Sequence, residues 1–226
     1  MKKKLLLTLT LLIGLFAKAQ NADIRIGDIV CVNGADTTFV HPDDYVNNAI
    51  GVVFYLDQSG QHGWIIDLHD APGEPFCYST ENVDVEGIDN YGHPRYKPGW
   101  PGDNVGNIYD LDGYSNTVAL HFHSASRYPA AWAVDLDNGW YLPAIGQFNL
   151  LTPQMPYIIP SLLKAGGSPL NTERYHWYWS SSEFVDPYGN ACCAWGYYGT
   201  GYLCALPRNY KLDSGHFMHV RAMRNF

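Results

Sequence analysis

Ile50-Gly51-Val52-Val53-Phe54-Tyr55-Leu56 is apolar at odd and even positions alike, which predicts a strand covered on both faces. Asp57-Gln58-Ser59-Gly60 reads as a turn, and Trp64-Ile65-Ile66-Asp67-Leu68 as the strand that returns from it. On that return Trp64, Ile66 and Leu68 share one face and Asp67 and His69 the other, so the hairpin is expected to keep one solvated side. Ile24 to Val32 predicts an earlier strand. Between Asp70 and Leu111 the periodicity fails under Pro72, Gly73, Pro75, Gly92, Pro94, Pro98, Gly99, Pro101 and Gly102. This stretch, 70–111, reads as a loop insertion, either a binding face or a structural insertion packed by its own aromatics.

Helical spacing replaces alternation in the middle of the chain. Ser115-Asn116-Thr117 reads as a helix cap, with Val118, Phe122 and Ala125 as the apolar positions behind it. Pro129 stops that helix and starts a short one through Ala133. After the turn at Asn138-Gly139, Pro143 suits a first helical position, with Ile145, Phe148, Leu150 and Leu151 as the apolar side. Ile158 to Lys164 continues helical until Gly166-Gly167. Strands return at Tyr175–Ser180, Ala191–Tyr198, Tyr202–Leu206 and Phe217–Arg224. Strands that flank a helical middle predict an α+β fold with the two termini near each other.

The first 19 residues change the compartment. Lys2, Lys3 and Lys4 precede an apolar run from Leu5 to Phe16, and Ala17-Lys18-Ala19 supplies a small-x-small cleavage pattern. The segment 1–19 is therefore expected to be a signal peptide, removed on export, which leaves 20–226 as one domain. The run is short for a membrane span, and no later run is long enough. The net charge is −8 at pH 7. Cleavage would remove four lysines and no acid, so the mature chain is more acidic still. Phosphate binding needs a surplus of Lys and Arg, so nucleic acid and anionic lipid are not expected partners.

Five cysteines, Cys31, Cys77, Cys192, Cys193 and Cys204, are an odd number for an exported chain, and their pairing stays open. No C-x-x-C is present, which removes the main support for a zinc knuckle or a thioredoxin-like site. His121-Phe122-His123 would suit a metal on a strand, but on a helix the two imidazoles diverge by about 200°. His216 and His219 are a weaker version of the same pattern. Ser180-Ser181-Ser182 lacks the flanking glycines of a nucleophile elbow and is expected to hydrogen-bond backbone groups at a strand end.

Binding without catalysis is the expected chemistry. Tyr188, Tyr197, Tyr198 and Tyr202 cluster around the Gly196–Gly201 turn, and Trp100 sits in the insertion. Exposed aromatics beside polar groups stack on sugar rings and on protein partners. Glu183, Asp186 and Asn190 lie on a loop whose oxygens could hold Ca²⁺ or simply be solvated; no motif indicates that ion, and no cofactor is expected.

Taken in order, six segments resemble the C-type-lectin-like module at the C-terminal end of a collagen-like bacterial adhesin. They are Ala49-Ile50-Gly51-Val52-Val53-Phe54 with Gly60-Gln61-His62-Gly63; Gly139-Trp140-Tyr141-Leu142-Pro143 with Gln147 and Leu150; Gly166-Gly167-Ser168-Pro169-Leu170; Tyr178-Trp179-Ser180-Ser181-Ser182-Glu183; Ala194-Trp195; and Val220-Arg221-Ala222-Met223-Arg224. The resemblance implies a C-type-lectin-like fold, antiparallel strands flanked by two main helices, with residues 70–111 as a long irregular loop insertion. It also implies a secreted, periplasmic or cell-surface module of a Gram-negative-type bacterium, used to contact a glycan or a surface protein. A structural or tip component of a fimbria is the alternative. The Glu-Pro-Asn, Gln-Pro-Asp and Trp-Asn-Asp motifs of calcium-dependent sugar-binding lectins are absent, so that mode of binding does not carry over. The Arg-Gly-Gly-Ser-Trp segment of formylglycine-generating enzymes is absent as well, and with it that activity.

Overall fold

A computed structural model describes residues 23–77, 95–96, 109–173, 176–184, 193–198, 201–207 and 217–226. It is a mixed α+β structure built on two sheets. The first has β1 (Ile29–Asn33), β2 (Asp36–Val40), β3 (Ala49–Leu56), β4 (Gly63–Asp67), β6 (Trp140–Tyr141) and β11 (Met223–Asn225), in the order β2-β1-β3-β4-β11-β6. All its pairings are antiparallel. The second runs β10-β7-β8-β9-β5, with β5 (Arg95–Tyr96), β7 (His176–Phe184), β8 (Cys193–Tyr198), β9 (Tyr202–Pro207) and β10 (Phe217–His219). There β10 lies parallel to β7 and the rest is antiparallel. Among the described residues the α-helices are α1 (Gly113–His121), α2 (Pro129–Trp132), α3 (Ile145–Leu151) and α4 (Met155–Lys164); α1, α3 and α4 pack on the sheets and α2 on α1.

Alternation along the strands sorts side chains into separate cores. Val52, Phe54 and Ile66 of the first sheet meet Ile145, Phe148 and Leu151 of α3, Ile158 and Leu162 of α4, and Tyr178 and Tyr197 of the second sheet. Trp179, Met218 and Val220 face a second core with Phe76, Leu120, Tyr128 and Leu142. A third cluster, Val30, Val53 and Ile65, lies across the strands from the first core, packed by Ile24, Ile26, Phe39 and Phe226. The side of the β3–β4 hairpin expected to be solvated is thus apolar and largely covered. Ordinary alternation sets Val53 opposite Val52 and Phe54, and the bulge between Val53 and Tyr55 brings Tyr55 back to the Phe54 side.

Two of the six segments, Gly139–Pro143 with Gln147 and Tyr178–Glu183, meet at one joint. Ala144 caps α3 but has no side-chain acceptor, and Ser182 of β7 supplies one from across the fold: its Oγ accepts the Ile145 amide at 3.0 Å. The Ser181 amide donates to the Pro143 carbonyl at 2.8 Å. Gln147 accepts the Ala144 amide and donates to the Tyr141 hydroxyl, which donates to Asn225 of β11. Burial raises the Tyr141 pKa, which keeps that hydroxyl a donor. The serines therefore lie inside a strand, fully buried at its bulge, and hold a helix start. Gly113, first in α1, seats against the same joint, where a Cβ would come within 2.6 Å of the Ala144 nitrogen.

Other expectations shift by a few residues. Asp112, not Ser115, caps α1, its carboxylate accepting the Ser115 amide. The buried face of α1 is Gly113, Asn116, Thr117 and Leu120, and Phe122 is 85% exposed. The predicted last strand, Phe217–Arg224, is two strands in two sheets, broken at Val220-Arg221-Ala222. The insertion at 70–111 is not irregular throughout, since Arg95–Tyr96 adds β5 to the second sheet. Cys31 is a buried thiol in the first core and Cys77 is buried in the second. The signal segment lies outside the described residues. Among the described residues no helix is long and apolar enough to cross a membrane.

Candidate functional site

An exposed tryptophan held rigid is the best-formed feature for ligand contact. The four residues of α2 are too few to bury a face of their own. They are tied to the strand of chain before them by the Ala130 amide, which donates to the Pro75 carbonyl at 3.2 Å. Trp132 ends this helix with 44% of its surface exposed. The His121 ring at the end of α1 lies flat on the Trp132 ring, 4.2 Å between centres and 2° from parallel. The Trp132 Nε1 donates to the His123 carbonyl at 3.0 Å, and the His121 Nε2 donates to the Ala131 carbonyl at 2.7 Å. The indole is thus fixed by a stack and a hydrogen bond while part of it faces solvent. Beside it opens a cavity of about 270 Å³ lined by Pro72, Glu74, Ala125, Pro129, Trp132 and Ala133. The Glu74 carbonyl accepts the buried Trp179 Nε1 at 2.8 Å, which anchors that wall to β7. An aromatic ring, proline edges and the Glu74 wall form a surface for stacking and hydrogen bonding, on a ring already held in place.

A second polar group joins the two sheets. Arg221, fully buried, donates from Nε to Asp70 Oδ1 at 2.5 Å and from Nη1 to the Asp67 and Ser168 carbonyls at 3.1 and 3.0 Å. Asp70 Oδ2 accepts the Tyr178 hydroxyl at 3.1 Å and stands 3.5 Å from His219 Nδ1. His219 Nε2 meets His176 Nδ1 at 2.8 Å with the rings only 16° from coplanar, an in-plane hydrogen bond between imidazoles. Asn171 Oδ1 accepts the Glu173 amide, so its Nδ2 faces His176 Nδ1. That assigns His176 Nδ1 as acceptor and puts the His219 proton on Nε2. Glu173 stands 3.5 Å from His176 Nε2 at the exposed end.

Burial pushes the His219 pKa down; Asp70 pulls the other way, while His176 and Arg221 add to the lowering. The folded protein therefore keeps His219 neutral where the unfolded chain, near its ordinary value of 6.5, takes up a proton. This contribution is present above about pH 6.5 and is lost as pH falls toward the lower folded value, by up to about 1.4 kcal/mol per pH unit. Asp67, its carboxyl pushed up by burial, titrates in the opposite sense. A His219→Asn variant is accordingly expected to show a flatter fall in unfolding free energy below pH 6.5 than the parent, measured by urea denaturation at stepped pH. Equal slopes would refute the assignment.

The residues singled out from sequence are scattered. Tyr197 is fully buried, stacked on Phe148 at 4.7 Å, with its hydroxyl 3.2 Å from Thr152 Oγ1. Glu183 is fully buried within β7 rather than on a loop. Both are core residues, which corrects their placement on a binding face. Tyr198 is half-buried, and its hydroxyl donates to the Thr172 carbonyl at 3.1 Å. Tyr202 is the first residue of β9. Tyr188, Trp100, Asp186 and Asn190 lie outside the described residues. Neither Tyr197, Tyr198 nor Glu183 lines the Trp132 cavity. His121 and His123 serve separate partners, the Trp132 ring and the Tyr128 edge. Among the described residues no three His, Cys, Asp or Glu side chains are placed to hold one metal ion. Trp132 and Glu74 escaped the sequence reading because a four-residue helix and an aperiodic stretch give no face to compute.

Compared with known proteins, the chain matches no family model and no curated sequence.

Proposed function

We propose that this chain is an exported, non-catalytic binding module of the C-type-lectin-like kind, which holds a glycan at the Trp132 cleft. The observation that carries the reading is the immobilised, half-exposed indole beside the Glu74 wall. Sugar rings present a C–H face to an aromatic plane and hydroxyls to a carboxylate, and a fixed platform loses little entropy on binding. The lectin-like reading is supported by β1 and β11, from opposite ends of the described chain, lying in one sheet with the β3–β4 hairpin between them. Export is supported by the basic and apolar pattern of residues 1–19 and by the acidic balance of the rest.

A glycan array probed with residues 20–226, with and without EDTA, tests this. Binding is expected to survive EDTA, since the calcium motifs are missing. Trp132→Ala is expected to weaken it about tenfold or more while the melting temperature changes little, because exposed tryptophans at contact sites contribute about 2 kcal/mol or more. Hits unchanged in Trp132→Ala would remove this site from the reading.

A second reading, a filament component, has its own support. Among the described residues β2 pairs only with β1, and it stands at the sheet edge with Asp36, Thr37 and Thr38 exposed. Such an edge is a template for strand addition. Thr38→Pro is expected to abolish any concentration-dependent oligomer seen by light scattering and to leave glycan binding intact.

A further inference from the structure

The outer face of the six-stranded sheet carries a second cleft, on the side away from the main core. Its floor is Val30, Ile50 and Ile65, one each from β1, β3 and β4. Phe39 of β2 and the last side chain, Phe226, close one end, their rings 4.9 Å apart and tilted 53°. Arg224 of β11 stands at the rim. The cavity is about 330 Å³, within the range of small-molecule sites, and among the described residues no acidic side chain lines it.

Arg224 decides what such a cleft accepts. In a chain with 22 acidic and 14 basic residues, no carboxylate among the described residues pairs with this guanidinium. Its Cζ lies 6.0 Å from the centre of the Trp140 ring, the residue opposite it in the β11–β6 register. Gly139, at φ +82° before Trp140, brings its backbone against the Arg224 stem, and a Cβ there would sit 3.5 Å from Nε. The side chain is therefore held between a tight turn and an indole, and its charge is left for something else. His62 adds a second basic group to the rim.

We propose that this cleft binds a small amphipathic monoanion, an apolar body of acyl-chain or single-ring size ending in one carboxylate. The body would lie on Val30, Ile50 and Ile65, and the carboxylate would take the paired N–H groups of Arg224. Apolar floor and lone cation are both needed: the floor alone admits any hydrophobe, and the cation alone any anion.

Titration with octanoate, followed by amide and indole NMR shifts in the intact chain, tests the assignment, with 1-octanol as the uncharged probe of equal body. Octanoate is expected to saturate, with shifts at Ile50, Ile65 and the Trp140 indole, and to bind about tenfold more tightly than octanol. Arg224→Gln is expected to erase that preference while octanol binding stays as it was. Ile50→Ser is expected to weaken both probes. Trp132→Ala is expected to change neither, which separates this site from the glycan cleft. Non-saturating octanoate shifts, equal affinity for the two probes, or an undiminished preference in Arg224→Gln would each overturn the proposal; the last would point to His62 or general surface charge.

Discussion

Replacing Arg221 by methionine is expected to cost about 3–5 kcal/mol of folding stability. The guanidinium is fully buried and answers Asp70 and the Asp67 and Ser168 carbonyls at once. Methionine fills much of the volume but leaves the part-buried Asp70 carboxylate to the Tyr178 hydroxyl and His219, with its cation gone, and takes the Arg221 donor from the Asp67 and Ser168 carbonyls. Lysine is expected to rescue little, because one ammonium cannot reach all three directions that the planar fork serves. Asp70→Asn combined with Arg221→Met should be milder than Arg221→Met alone, since the orphaned charge is then gone. Urea midpoints with an unchanged m-value are the readout. An Arg221→Met variant within about 1 kcal/mol of the parent would mean that the pair contributes nothing net.

Trp179→Ala is the second. Trp179 is buried in the core that holds Phe76, 5.7 Å between ring centres, and its removal should cost about 3–5 kcal/mol through the cavity left behind. The informative variant is Trp179→Phe. It keeps an aromatic ring but loses the donor to the Glu74 carbonyl, for about 1–3 kcal/mol. Because that bond anchors a wall of the Trp132 cleft, Trp179→Phe should also weaken glycan binding in a protein that remains folded. Thermal unfolding and array binding measured on the same preparation separate the two effects. Weakened stability with unaltered binding would show that the wall does not need the anchor.

Strong periodicity was legible in the sequence and short-range geometry was not. The run 50–56 became β3, and the Pro143 and Gly166-Gly167 signals bracket α3 and α4 closely. Apolar alternation and helix-stop glycines are local causes, so local reading finds them. Ser180–Ser182 bond backbone groups as expected but at a bulge inside the strand, where the α3 start, Asn116 and Asp110, all distant in sequence, supply the partners that make burial of the hydroxyls tolerable. Phe122 was misassigned because the buried face of α1 runs through Gly113, Asn116, Thr117 and Leu120, mostly not apolar, and Phe122 falls on the far side of that face. The tyrosine cluster divided for a related reason: Tyr197 found α3 and its neighbour Tyr198 did not. The sites themselves depend on groups distant in sequence, such as Glu74 with Trp132 or Phe39 with Arg224, and no spacing rule joins them.

The final strand does not sit at a margin. β11 lies between β4 and β6, and β10, a few residues before it, completes the other sheet. Residues 223–225 therefore have to be synthesised before β6 can be joined to β4, whereas residues 217–219 add only a border ribbon to the other sheet. Clipping the last dozen residues would be expected to yield an aggregation-prone remnant instead of a trimmed but functional one.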